Sequence, residues 1–143
     1  MGVITLAANS TTLVLNGFAL GDFAEGDYIT LTPANELTSH INSSDGGVAI
    51  KKRIDGGVHD LAVRVQRFSD SDIFLNSAIN SEDITILNGS MKENLIKDGN
   101  DAVETFILEQ GSLTIRPTVT NNNQEGNVMM EYTIRFRNVQ RNL

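Results

Sequence analysis

Alternation with a period of two residues, broken at short intervals by Asn-Gly and Asp-Gly pairs, limits this chain to a β-rich fold more than any other feature. Ile29 and Leu31 alternate with Thr30 and Thr32 in a run that stops at Pro33. Leu61, Val63 and Val65 share one face of a second run, with Asp60, Ala62, Arg64 and Gln66 on the other. In a third, Met130, Tyr132, Ile134 and Phe136 oppose Glu131, Thr133, Arg135 and Arg137. Such strands cover a core on one side and meet water or a partner on the other. Shorter candidates are residues 12–15, 48–52, 84–87, 103–108 and 112–116. The pairs beginning at Asn16, Asp45, Asp55, Asn88 and Asp98 read as turns, because Asn, Asp and Gly tolerate the positive φ of tight hairpins.

One segment departs from this pattern. Ser69 can cap a helix that continues to Ile79, with Asp70 and Asp72 near its positive end and Phe68 placed to staple onto Ile73. The helix would pair Phe74 with Ala78 and Leu75 with Ile79, and would plug an open end of a sandwich or barrel. Residues 121–127, rich in Asn, read as a mobile loop.

With 143 residues, 40% of them hydrophobic, the chain is expected to form one domain over residues 1–143. A domain of this length buries roughly 68% of the surface of its unfolded chain. It has no cysteine, which removes thiolate catalysis, thiolate zinc sites and disulfides together. Neither a signal peptide nor a membrane span is expected from its apolar runs. Leu6 stands where a myristoylation signal would carry Ser or Thr. The net charge of −7 opposes general binding to nucleic acid. That charge is uneven: Lys51, Lys52 and Arg53 form a basic knot and Arg135, Arg137 and Arg141 a basic C-terminal end, while acids gather at residues 22–27, 70–72 and 82–83. Complementary patches of this kind suit self-association; they also serve solubility alone.

No catalytic or metal-ligating pattern stands out, and the chain is read as a non-enzyme without a cofactor. His40 and His59 lie apart with no HxxxH or HExxH spacing. Asp70 and Asp72 lack the glycine and distal glutamate of a calcium loop, and residues 98–101 read as a hairpin turn. No phosphate-binding glycine motif is present. Six Phe, two Tyr and no Trp give little material for a sugar- or base-stacking platform.

The succession LNGFALGDFAEGDYITLTP, a polar loop, SSDGGVAIKKRIDGGVHDLAVRVQRFSDSDIFLNSA and a final alternating strand resembles the tail tube protein family of contractile-tailed bacteriophages, which is related to bacteriocin and secretion-system tubes. The shared features are a glycine-acid lead-in to the strand at Tyr28, a glycine-containing basic arm, an alternating apolar strand and a serine-aspartate helix start. They cover about the first 80 residues and the last strand. The resemblance implies a mainly β fold of two packed antiparallel sheets, a sandwich or partial barrel, with one short α-helix. It implies six copies closing into a ring with a β-barrel inner wall, and rings stacked into a hollow tail tube through which phage DNA passes without specific binding. Expected partners are further copies of the chain, sheath, baseplate and tail terminator proteins and a tape-measure protein inside. The expected location is the virion tail, after synthesis in the host cytoplasm.

The resemblance also implies a long arm at about residues 42–57 that reaches a neighbouring subunit. In an isolated monomer the same stretch reads equally as a disordered loop that assembly orders. Lys51, Lys52, Arg53 and Ile54, between Gly46-Gly47 and Gly56-Gly57 hinges, are the candidate interface residues, docking on an acidic patch next door. Six copies at −7 apiece make an acidic lumen the natural expectation. The alternatives are a monomeric β-sandwich binding module, for example for carbohydrate, which calls for clustered exposed aromatics, and a hydrolase using paired carboxylates, which calls for a spacing not seen here.

Overall fold

The structure, a computed structural model, describes residues 2–121, 123 and 129–143, with residues 5–10 described by backbone alone. Nine strands and one helix follow in chain order: β1 Ile4–Leu15, β2 Phe18–Leu20, β3 Ile29–Pro33, β4 Thr38–Asn42, β5 Val48–Lys52, β6 His59–Gln66, α1 Asp70–Asn80, β7 Leu87–Lys97, β8 Asn100–Ile115 and β9 Met129–Asn142. Seven of the strands form one antiparallel sheet in the order β2-β1-β7-β8-β9-β6-β3, and β4 and β5 form a separate two-stranded sheet. The fold is thus mainly β with two antiparallel sheets and one helix, as the resemblance implies.

The larger sheet supplies both layers by rolling over its own core. Its end strands β2 and β3 are not paired to each other, so the roll stays open. Tyr28, just ahead of β3, nevertheless reaches β1, its hydroxyl donating to Thr11 Oγ1 at 3.2 Å. The three alternating runs face inward as their periodicity requires. Leu61, Val63 and Val65 of β6 and Tyr132, Ile134 and Phe136 of β9 join Leu13, Leu15, Leu20, Leu87 and Leu108 in one buried cluster.

Helix α1 closes one end of the roll. Leu75 is fully buried, Phe74 stacks on Phe18 with ring centroids 4.5 Å apart, and the buried Ser71 hydroxyl donates to Gly21 O at 3.0 Å. The Tyr132 hydroxyl donates to the Asp72 carboxylate. Burial pushes that hydroxyl's pKa up, and the adjacent carboxylate adds to the shift, so Tyr132 remains a neutral donor.

The cap forms as expected. Ser69 Oγ accepts from Asp72 N at 3.2 Å, and Asp72 Oδ2 accepts from Phe68 N at 2.9 Å. Ser69→Ala should lower stability by about 1 kcal/mol, measured by urea unfolding, with Ser69→Asp recovering most of it. The staple is not made: Phe68 adopts φ 68 and is 84% exposed, because the turn after β6 swings its side chain into solvent.

The turns divide into two kinds. Asn16-Gly17 and Asp98-Gly99 have φ of 50 and 80, and of 52 and 79, as two-residue hairpins need. Asn88-Gly89, expected as a turn, instead lies inside β7 at a register shift against β8. There the Asn88 Oδ1 accepts from Gln110 N at 2.8 Å, and the Asn16 Oδ1 accepts from Asn88 N at 2.9 Å. These side-chain amides take over hydrogen bonds the irregular ladder would lose. The same device lets residues 103–108 and 112–116 run together as β8, with Gln110 at φ 51 between them. The strand expected at 84–87 begins only at Leu87, and Ile84 and Ile86 lie exposed in the link from α1. Within the expected Asn-rich loop, residues 122 and 124–127 lie outside the described residues.

Candidate assembly surfaces

The stretch expected as an arm, residues 42–57, holds the turn and second strand of the β4–β5 hairpin, whose first strand begins at Thr38. Thr38 pairs with Lys52 at its base and Asn42 with Val48 near its tip, so it projects roughly 17 Å at the usual rise per strand residue. Its turn is set by Ser43 and Asp45: Gly46 has φ 90, Ser43 N donates to Gly47 O at 2.8 Å, and the Ser43 hydroxyl donates to Asp45. That hydroxyl, then the Gly47 amide, hold the Asp45 carboxyl below its usual value. At the base, Arg53 N donates to Leu37 O at 2.9 Å and Asn35 Nδ2 to Asp55 O at 3.2 Å. Ile41, Val48 and Ile50 are exposed on the strands, and Leu37 and Ile54 beside them. A two-stranded ribbon alone is marginal in water, and one with apolar side chains on both faces gains most by lying against another surface.

The hairpin divides the expected basic knot. Neighbours in a strand point to opposite faces, so Lys51 shares a face with Ser39 and Ile41, and Lys52 shares the other with Thr38, His40 and Ile50. Arg53 lies below them, bonded through both guanidinium arms to Asp55 at 3.0 and 3.1 Å. Ile54 is fully exposed at the following turn. Lys51 and Lys52 are therefore the two outward cations of the hairpin, Ile54 is an exposed apolar side chain at its foot, and Arg53 braces the base.

Among the described residues two sheet edges are open. β2 pairs only with Leu13–Leu15, which leaves the outer edge of β1 from Ile4 to Thr12 without a strand. At the other end β3 pairs with β6 on one side only. Edges of this length are templates for strand addition. The side of the sheet away from the core is mostly polar around β6 and β9, with Ile115 exposed on it, while Ile96 and Val103 are exposed on the outer side of β7 and β8. Arg135 binds Asp60 through two hydrogen bonds of 2.8 and 3.1 Å, which holds the Asp60 carboxyl below its usual range. Arg64 stands opposite Glu131 in the ladder, and Arg137 donates to Gln110 at 3.2 Å.

Two open recesses interrupt the surface. One of about 490 Å³ lies at the mouth of the roll, where Thr11, Tyr28, Glu93, Glu104 and Phe106 face each other. Two of its carboxylates have partners in the chain: the Thr11 hydroxyl donates to Glu93, and Arg141 binds Glu104. The other, about 270 Å³, lies between the end of α1, residues 81–85 and the end of β8. His40 is on the arm and His59 beside β9, with Nδ1 2.8 Å from Gly57 O, so the two histidines share no site. Among the described residues no three His, Cys, Asp or Glu side chains converge as a metal site would require. No described helix is long and apolar enough to cross a membrane.

An open, rolled β-sheet capped by one helix and carrying a projecting hairpin defines a tail-tube-like fold. Comparison with solved structures bears this out. The chain is similar to one in the sheath–tube complex of an extracellular contractile injection system, PVC, in its extended state, at TM-score 0.64 and 8% identity, covering 96% of this chain and 91% of that one. It is also similar to a chain of the PVC sheath/tube terminator in its extended state, at TM-score 0.66 and 8% identity over 97% of both chains. A chain of the anti-feeding prophage tube-terminating cap matches at TM-score 0.63 and 8% identity, over 96% of this chain and 91% of that one. No protein-family profile and no curated protein matches the sequence.

Proposed function

We propose that this chain is a structural subunit of a contractile injection device, closing edge to edge with copies of itself into rings, six per ring, that stack into a hollow inner tube. The observation that carries this reading is a fold shared with chains of sheath–tube, terminator and cap assemblies, in a molecule whose sheet ends in two unpaired edges. Joining the open edge of β1 to that of β3 in the next copy satisfies both rows of backbone groups at once and removes the aggregation hazard of a lone sheet. α1 caps one end of the roll, and a helix on the inner side would fill the bore, so closure keeps α1 outside. Sheath, terminator and baseplate subunits are the fitting outer and end partners, with the transported material and a tape-measure protein inside. The subunit acts without chemistry of its own, and its place is the tail or tail-like particle.

The β4–β5 hairpin is the arm, and Lys51, Lys52 and Ile54 its contacts to an acidic patch of a neighbouring copy, with Arg53 bracing it from below. Negative-stain electron microscopy and sedimentation across a concentration series test the assembly. Rings or tubes of uniform diameter are the expected result, and a monomer at every concentration overturns self-assembly. Lys51→Ala with Lys52→Ala should reduce tube length severalfold at unchanged thermal stability; unchanged length removes the arm assignment. A monomeric binding module is the weaker reading, because Phe68 is the one aromatic side chain exposed among the described residues, which leaves no stacking platform.

A further inference from the structure

If the polar sheet face is the inner wall, its charges decide what the passage favours, and they can be counted from the ladder. At its centre Asp60 is paired with Arg135, and Arg64 stands opposite Glu131. By alternation along β8 and β9, Glu109 and Arg137 project from the same face. That makes three acids and three bases. The net −7 of the chain therefore belongs to its remaining parts: the loops, the helix, the hairpin and the mouth of the roll. Between the charges lie Thr30, Thr32, Ala62, Ser112, Thr133 and the exposed Ile115, with no aromatic ring.

We infer that the tube's passage carries no net charge, its wall being an interleaved lattice of opposite charges, hydroxyl groups and a few aliphatic side chains that neither attracts nor repels a passing chain by the sign of its charge. The inference rests on the tube reading and replaces the acidic lumen expected from overall charge. Paired charges a few ångströms apart cancel within a short distance of the wall, whereas a wall of one sign holds a field across the whole bore. An extended polypeptide bearing both signs therefore meets no electrostatic barrier and no sticky patch. The acidic exterior faces outer partners instead, where basic surfaces on them would find it.

The chain has no cysteine, so one introduced thiol reports cleanly. Thr133→Cys at the centre of the face and Asn76→Cys on the exposed side of α1 are each assembled into tubes. They are treated with a bulky polyethylene-glycol maleimide, then separately with cationic and anionic methanethiosulfonates at low salt. The expected result is that the bulky reagent labels Asn76→Cys but not Thr133→Cys. The cationic-to-anionic rate ratio at Thr133→Cys should stay within about twofold of its value in dissociated protein. Arg135→Gln in the same background leaves Asp60 uncompensated in every copy and should raise that ratio, which shows that the probe senses the wall. A ratio raised about tenfold or more without that change means an acidic passage and overturns the inference. Ready labelling of Thr133→Cys in tubes by the bulky reagent also overturns it, by placing the face outside, while the tubes themselves stand. Failure of both variants and the parent chain to form rings would instead remove the tube reading.

Discussion

Gly89→Ala is expected to cost about 3 kcal/mol, among the largest effects of any single methyl added to this chain. A Cβ at Gly89 would lie 1.8 Å from Val14 O, 2.8 Å from Val14 C and 3.0 Å from Leu15 Cα. All three are backbone atoms of the neighbouring strand, so no side-chain rotation relieves the clash. β1 would have to move off β7 where Leu13 and Leu15 are fully buried. Gly111→Ala is the informative comparison, since its Cβ would meet the Phe136 ring at 2.4 Å, a side chain that can shift. Urea unfolding of both variants should show a lower midpoint at constant slope, with the larger drop for Gly89→Ala. A Gly89→Ala midpoint equal to that of the parent would mean that β1 and β7 do not approach this closely.

Phe136→Ala should destabilise the fold by about 3–5 kcal/mol, enough to populate the unfolded chain in a domain of ordinary stability. Phe136 is fully buried, stands opposite His59 on β6 and Gly111 on β8, and fills the space that Gly111 leaves by lacking a side chain. Truncating it leaves a cavity between strands fixed on both sides by their ladders, where little collapse is possible. Phe136→Leu should recover a substantial part of the loss. Arg137→Ala, on the outward face one residue later, should leave the melting temperature nearly unchanged. Equal melting temperatures for Phe136→Ala and Arg137→Ala would contradict the facing of β9.

These contrasts also mark what could be read from the chain. β6 and β9 were legible because every second residue is apolar and no turn signal interrupts them, and α1 because its cap residues bond their own local backbone. β7 was not. Its core-side row of Leu87, Gly89, Met91, Glu93 and Leu95 includes a glycine and a charge, so alternation fades, and Asn88-Gly89 imitates a turn. Only a backbone packed against β1 shows why a glycine is needed there. Residues 42–57 were legible as a glycine-flanked polar stretch, which takes in β5 but almost none of β4. Its hairpin form was not, since four of the five residues of β4 are polar and its partner lies several residues ahead.

The basic knot shows the same division at the level of a site. Sequence adjacency places Lys51, Lys52 and Arg53 together, but strand alternation sends the two lysines to opposite faces and Asp55 engages the arginine. The sequence by itself determined the β class, the helix with its cap, the tight hairpins and the total charge, because each depends on neighbours in the chain or on a sum over it. Tertiary structure alone decided the strand order, the two open edges, the close approach at Gly89 and the separation of a charge-balanced face from an acidic remainder. Those properties depend on which distant residues meet, as Asp60 meets Arg135 across 75 positions of chain, and local pattern carries no record of such meetings.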